Sequence, residues 1–268
     1  MNVVTNSLWT LVRWAVPVTV AGVLAAGMIG LNQLDDVIRT KVQAHLMNEF
    51  PGLIVKVKGA RLVKGEGIVV QGVSLSDPQL PDAFQQLISI DEIRLECSTN
   101  LTKLASGIPQ ITAVYIRRPI VSAACRDDGR WTTNDLFVTR NSSKVIPVTI
   151  EDGELKIKDT RIKQQFFIRE VDLTFMPDEE DGWAIINGSL AGEFFVKAAI
   201  EGRFAPGSQH FDVSGRITAL DCSERLTALL PQVLPLPQDT CDVVAGVRGN
   251  VDLKWQAQGS LRQLRQTE

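Results

Sequence analysis

Histidine and tyrosine are almost missing from this chain. Two histidines, His45 and His210, and a single tyrosine occur in 268 residues. The histidines lie far apart, and neither sits in a nucleophile or metal motif. No G-x-S-x-G turn is present. The four cysteines, Cys97, Cys125, Cys222 and Cys241, contain no C-x-x-C spacing, which argues against a zinc site. A phosphate-cradling loop is lacking too, because Gly65-Glu66-Gly67 is too short and no helix pattern follows it. The acidic run from Asp178 to Asp181 lacks the spacing of a calcium loop and reads as a solvated hairpin turn. Charge of one sign is not concentrated anywhere: 28 basic and 31 acidic residues give a net charge of −3, with no footprint for nucleic acid. These absences leave no enzyme, no cofactor and no metal to expect.

Long apolar runs are scarce as well, with one exception. Residues 14–31 (WAVPVTVAGVLAAGMIGL) carry no charge and are long enough to cross a bilayer as a helix. Arg13 and the amino terminus precede the run, and Asp35 and Asp36 follow it. The positive-inside bias then puts residues 1–13 in the cytoplasm and exports the body. A cleaved signal peptide ending near Ala25-Ala26-Gly27 is the rival reading, and it exports the body equally.

Export changes how the cysteines read. In an oxidising compartment, Cys97 with Cys125 and Cys222 with Cys241 are the sequence-near pairs among three connectivities; four buried thiols are the alternative. A Cys222–Cys241 bridge would stabilise its short loop by roughly 3 kcal/mol.

After the apolar run, Leu34, Ile38, Val42, Leu46 and Phe50 recur every four residues, with Pro51-Gly52 as a stop. This spacing predicts an amphipathic helix from about Asp35 to Glu49 within a membrane-proximal segment 32–52. The helix either packs on the domain core, plugs the membrane-proximal end of a sheet or lies on the bilayer.

From Leu53 the period changes from 3.6 to 2, and residues 53–268 read as one β domain. Ile93 and Leu95 alternate with charged residues, as do Leu155 and Ile157, then Val171, Leu173 and Phe175. Phe194, Val196, Ala198 and Ile200 form another such run, Phe211 and Val213 a further one, and Val251, Leu253 and Trp255 the last. One dry and one wet face argue for an antiparallel sheet of about ten or eleven strands. Asp-Gly pairs at 128–129, 152–153 and 181–182 supply turn chemistry between the runs. Residues 222–230 (CSERLTALL) read as a short helical insertion before a proline-rich stretch. A meander this long must close, pair with a second sheet or curl around something apolar.

Several ordered phrases between Ile68 and Phe137 resemble the N-terminal region of AsmA-like envelope proteins, within the wider group of repeating β-groove lipid-transfer proteins. Residues 73–78 (VSLSDP) resemble its early strand ending in Asp-Pro, and 87–95 (LISIDEIRL) its next strand. Residues 111–119 (ITAVYIRRP) resemble a strand ending in Pro, and Asp128-Gly129-Arg130-Trp131 with Asn134 a closing phrase. Residues 150–159 and 166–175 are similar to the hairpins that follow.

The resemblance implies a bacterial inner-membrane protein, single-pass, with its body in the periplasm. Its fold would be mainly β: a transmembrane helix, an amphipathic helix and a long curled antiparallel sheet forming an open, taco-like groove. Phospholipid transport between membranes or outer-membrane biogenesis would be its work, with phospholipid acyl chains and envelope proteins as partners. By alternation, the groove-face candidates are Ile93, Leu95, Leu155, Ile157, Val171, Leu173, Phe175, Phe194, Val196, Phe211, Val213, Val251 and Leu253. The alternative is a non-enzymatic envelope scaffold whose dry face is a closed β core.

Overall fold

A computed structural model describes residues 31–63, 65–97, 111–125, 131–133, 145–159, 164–178, 182–205, 208, 210–224, 226, 246 and 248–260. The predicted anchor therefore lies outside the described residues but for Leu31. No helix among those described is long and apolar enough to cross a membrane.

The helix, α1, spans Leu31–Glu49. Its predicted stripe is the buried one: Ile38, Val42, Leu46 and Phe50 are each at most 2% exposed. The Phe50 amide still donates to the Leu46 carbonyl, and Gly52 at φ +92° then turns the chain. Only glycine adopts that angle without strain, and the ring of Pro51 prevents another helical turn. The stripe packs along the first strand and joins the sheet's core.

Ten strands follow among the described residues: β1 (Ile54–Val63), β2 (Gly67–Ser76), β3 (Gln86–Cys97), β4 (Ile111–Cys125), β5 (Val148–Asp159), β6 (Gln164–Pro177), β7 (Ala184–Gly192), β8 (Phe195–Ala205), β9 (His210–Asp221) and β10 (Asn250–Ser260). They form one sheet in strict sequence order, and β1 does not pair with β10. The sheet is therefore not closed into a barrel.

The expectation of a wholly antiparallel sheet fails at one place. Strands β4 and β5 are parallel, from Val114 opposite Val148 to Cys125 opposite Asp159. A parallel neighbour needs a connection long enough to return along the sheet, and residues 126–147 provide it. Thr132 fastens the start of that connection: its amide donates to the Ala124 carbonyl, and its hydroxyl accepts from the Ala124 amide. Of the expected helix at 222–230, Glu224 and Leu226 are helical, and most of the rest lies outside the described residues.

A second departure is more consequential. Residues with positive φ recur in mid-strand at Gly72, Arg118, Asp152, Glu170 and Ala219. Register slips accompany them: Ile150/Gly153 on β5, Arg169/Asp172 on β6, Leu190/Gly192 between β7 and β8, and Val251/Leu253 on β10. The flanking registers set Gly72 opposite Asp91, and Asp91 opposite Arg118. The irregularities are thus neighbours across the sheet, forming a crease that crosses the strands. Bulges bend a strand and increase its twist, so a line of them folds the sheet along that line.

The crease also reverses side-chain parity. On β3, Ile88 and Ile90 are buried on one side of it, and Ile93 and Leu95 on the other. On β4 the switch is from Val114 and Ile116 to Pro119 and Val121. One apolar face survives because every strand switches together.

Candidate functional site: an apolar face that runs out from under its helix

Directly opposed residues in a sheet project to the same side. One lateral row can therefore be followed strand by strand: Ala60, Val70, Ile93, Ile116, Ile150, Leu173, Gly188, Ile200, Gly215 and Trp255. The next row runs Leu62, Ile68, Leu95, Val114, Val148, Phe175, Ile186, Gly202, Val213 and Ala257. Both rows are apolar from end to end.

Their burial is not uniform. From Ala60 to Ile150, the first row is at most 5% exposed. Beyond that stretch, Leu173, Ile200 and Trp255 are half-buried, and Leu253 on the last strand reaches 43% exposed. The same face is a closed core near α1 and an uncovered floor farther along.

Glycines shape that floor. A methyl group at Gly188 would fall 2.5 Å from Leu173 Cδ2, and one at Gly215 would fall 2.6 Å from the Trp255 ring and from the Ala199 carbonyl oxygen. The Phe195 ring lies over Gly192 in the same way. Large side chains lie flat on neighbouring glycines, which keeps the apolar layer thin. Strand glycines weaken a sheet unless a neighbour covers them, and here a bulky neighbour does.

The sequence candidates divide into three groups. Ile93, Leu95 and Phe175 are buried in the core. Leu155, Ile157, Val171, Leu173, Phe211, Val213 and Val251 are half-buried; Leu173, Phe211 and Val213 pack against the edge of that core. Phe194 occupies the β7–β8 turn beside Phe166, with ring centroids 5.9 Å apart, and Leu253 sits on the outermost strand. Val196 is 70% exposed, because the slip at Leu190/Gly192 takes it out of alternation with Ala198. Alternation placed Ile200 in an apolar run but did not find Ile150, Ile186 or Gly188, which continue the same rows. Following register from strand to strand finds them.

A depression of about 810 Å³ crosses β7–β10. It is lined by Gly188, Ile200, Gly215 and Trp255 of the first row together with flanking residues of opposite parity, among them Asn187, Glu201, Arg216 and Lys254. It crosses the strands at the same positions as the first apolar row.

The cysteines do not pair as proposed for Cys97 and Cys125. Cys97 ends β3 beside Ile111, whereas Cys125 closes the far end of β4. About 45 Å of strand separates Ile111 from Cys125 at roughly 3.3 Å per residue, far beyond the reach of a disulfide. Cys97 and Cys222 are free, buried thiols, and Cys241 lies outside the described residues. Burial pushes the Cys97 thiol above its usual pKa, partly opposed by a hydrogen bond with the Ile68 backbone.

No cluster of metal-ligating side chains occurs among the described residues. His45 is buried in α1, and His210 opens β9 on the surface. Asp178, the described part of the acidic turn, lies 3.5 Å from Arg203. No protein-family model matches the chain, and no curated protein matches it.

Proposed function

We propose that this protein is a membrane-anchored envelope protein that carries lipid acyl chains on the uncovered half of its apolar face. The observation behind the reading is the loss of burial along the first row, which is buried from Ala60 to Ile150 and half-buried at Leu173, Ile200 and Trp255. An apolar surface left half-exposed over several adjacent strands marks a binding surface more often than an accident of folding. The resemblance of residues 68–137 to AsmA-like proteins and the uncharged run at 14–31 support the same reading.

The mechanism is passive. No bond is made or broken. An acyl chain lying across the strands exchanges water for Ile200, Leu173 and the flat rings, gaining about 0.8 kcal/mol for each buried methylene. The head group stays in water beyond the strand ends. Ten strands at roughly 4.8 Å give a sheet about 43 Å across, so the face presents lipid locally or acts alongside envelope partners.

Mass spectrometry of lipid extracted from the gently purified full chain tests the reading. Phospholipid retained in stoichiometric amount is the expected result, and Ile200→Asp should deplete it. Protein that emerges free of lipid under those conditions would overturn the proposal.

A further inference from the structure

Four of the chain's ten phenylalanines gather at one strand end. Phe166 and Phe167 begin β6, and Phe194 and Phe195 cross the β7–β8 turn. All four are half-buried, and none belongs to the core cluster. Val196 beside them is 70% exposed, the most exposed of the large hydrophobic residues described. The Arg169 guanidinium lies 5.1 Å from the centre of the Phe167 ring.

This rim is continuous with the inward face. Phe195 lies opposite Gly192, Gly192 opposite Ile168, and Ile168 opposite Leu155. These paired positions carry no polar side chain, and the exposed Glu193 stands in the turn beside them. Half-exposed apolar side chains with a cation beside them are what the boundary between acyl chains and head groups accommodates.

We propose that this aromatic rim is where the protein touches the acyl region of a bilayer and where an acyl chain enters the apolar face. The inference rests on the lipid-carrying reading and adds a route to it. A chain leaving the bilayer at the rim passes from phenyl ring to inward row without crossing a wet polar surface. Entry from the outward face would require it to pass Glu201, Arg216 and Lys254.

Uptake kinetics test the route. The full chain, held in amphipol, is mixed with vesicles of equal parts phosphatidylcholine and phosphatidylglycerol carrying a self-quenched, acyl-labelled phosphatidylethanolamine. Val196→Asp places a charge at an already exposed position, so folding should survive. It should slow uptake roughly three- to five-fold while leaving the final amount bound unchanged. Val196→Leu should retain the parental rate, and Phe194→Ser with Phe195→Ser should slow uptake further. Parental rates in both the charged and the double variant would overturn the route while leaving the lipid reading intact. Parental uptake by Val196→Asp, together with loss of a co-purifying protein, would reassign the rim to a protein interface. Absence of uptake by the parent chain would remove the lipid reading and the route with it.

Discussion

The Arg118 guanidinium lies 2.9 Å from the Asp91 carboxylate across β3 and β4, and Arg118 itself holds φ +48°. The two residues face each other on the crease, so the ion pair spans the point where both strands leave regular geometry. Both side chains are about half exposed, which keeps the pair weak. Arg118→Gly should lose the ion pair, at most about 1 kcal/mol, and regain a similar amount by relieving the left-handed backbone. Arg118→Val should cost roughly 2 kcal/mol, because a β-branched residue resists that φ. Chemical denaturation of the two variants side by side checks the difference. Equal stabilities would show that the crease does not constrain Arg118.

The flattened rings make a second prediction. Gly215→Ala must displace both the Trp255 ring and strand β8, where the Ala199 carbonyl lies in the way. A loss of about 2–3 kcal/mol is expected from overpacking. Gly246→Ala, with nothing within 4 Å of the added methyl, should be nearly neutral. Thermal unfolding separates the two.

Helix α1 should dominate the stability of the covered half. Leu46→Ala removes a side chain 1% exposed between helix and sheet, and should cost about 2–5 kcal/mol. Met47→Ala, at a residue 48% exposed, should cost less than about 0.5 kcal/mol. Denaturant midpoints at matched m-values measure both.

Acid should act on the last strand first. Asp252 accepts hydrogen bonds from the Ala219 amide and then from Arg216, which hold its pKa below the usual carboxylate range. A depressed pKa contributes stability above the unfolded value of 3.8, and that contribution fades as pH falls below it. Asp252→Asn should therefore flatten the acid limb of the stability profile by removing that contribution from the neutral region while leaving the acid end almost unchanged. Hydrogen exchange of β9 and β10 between pH 5 and pH 2 follows it, a range set by that ordinary carboxylate value.

Cys97 offers a probe of the core. Its buried thiol, with pKa pushed up by desolvation, should resist maleimide in the native protein and react once β3 is exposed by denaturant. Rapid native labelling at Cys97, located by peptide mapping, would contradict its burial.

Much of this fold can be read from spacing alone. The four-residue repeat from Ile38 to Phe50 places α1, and alternation identifies the two-faced sheet. Face assignment fails in mid-strand because the crease reverses parity there. On β3, alternation starting from Ile93 gives the wrong side for Ile88 and Ile90. A signal for the reversal was present. Adjacent charged pairs stand at Asp91-Glu92, Arg117-Arg118, Glu151-Asp152 and Arg169-Glu170, each at the crease of its strand. Two neighbouring charges cannot both alternate with apolar partners, so such a pair marks the bulge. Spacing could not supply the parallel β4–β5 pair, because the connection at 126–147 carries no periodic pattern.

The strict strand order has a thermodynamic meaning as well. Each strand touches its sequence neighbours, so the sheet behaves almost as a one-dimensional array whose stability is a sum of nearest-neighbour terms. The helix adds its contribution at the β1 end, and side-chain burial is lowest on β10. Unfolding should therefore begin as fraying from the uncovered end and advance strand by strand toward α1. The half of the molecule with the most apolar surface free to meet a ligand is then also the half with the smallest free-energy cost of opening. An occupant of that face would act as the missing neighbour and raise the cooperativity of the whole array.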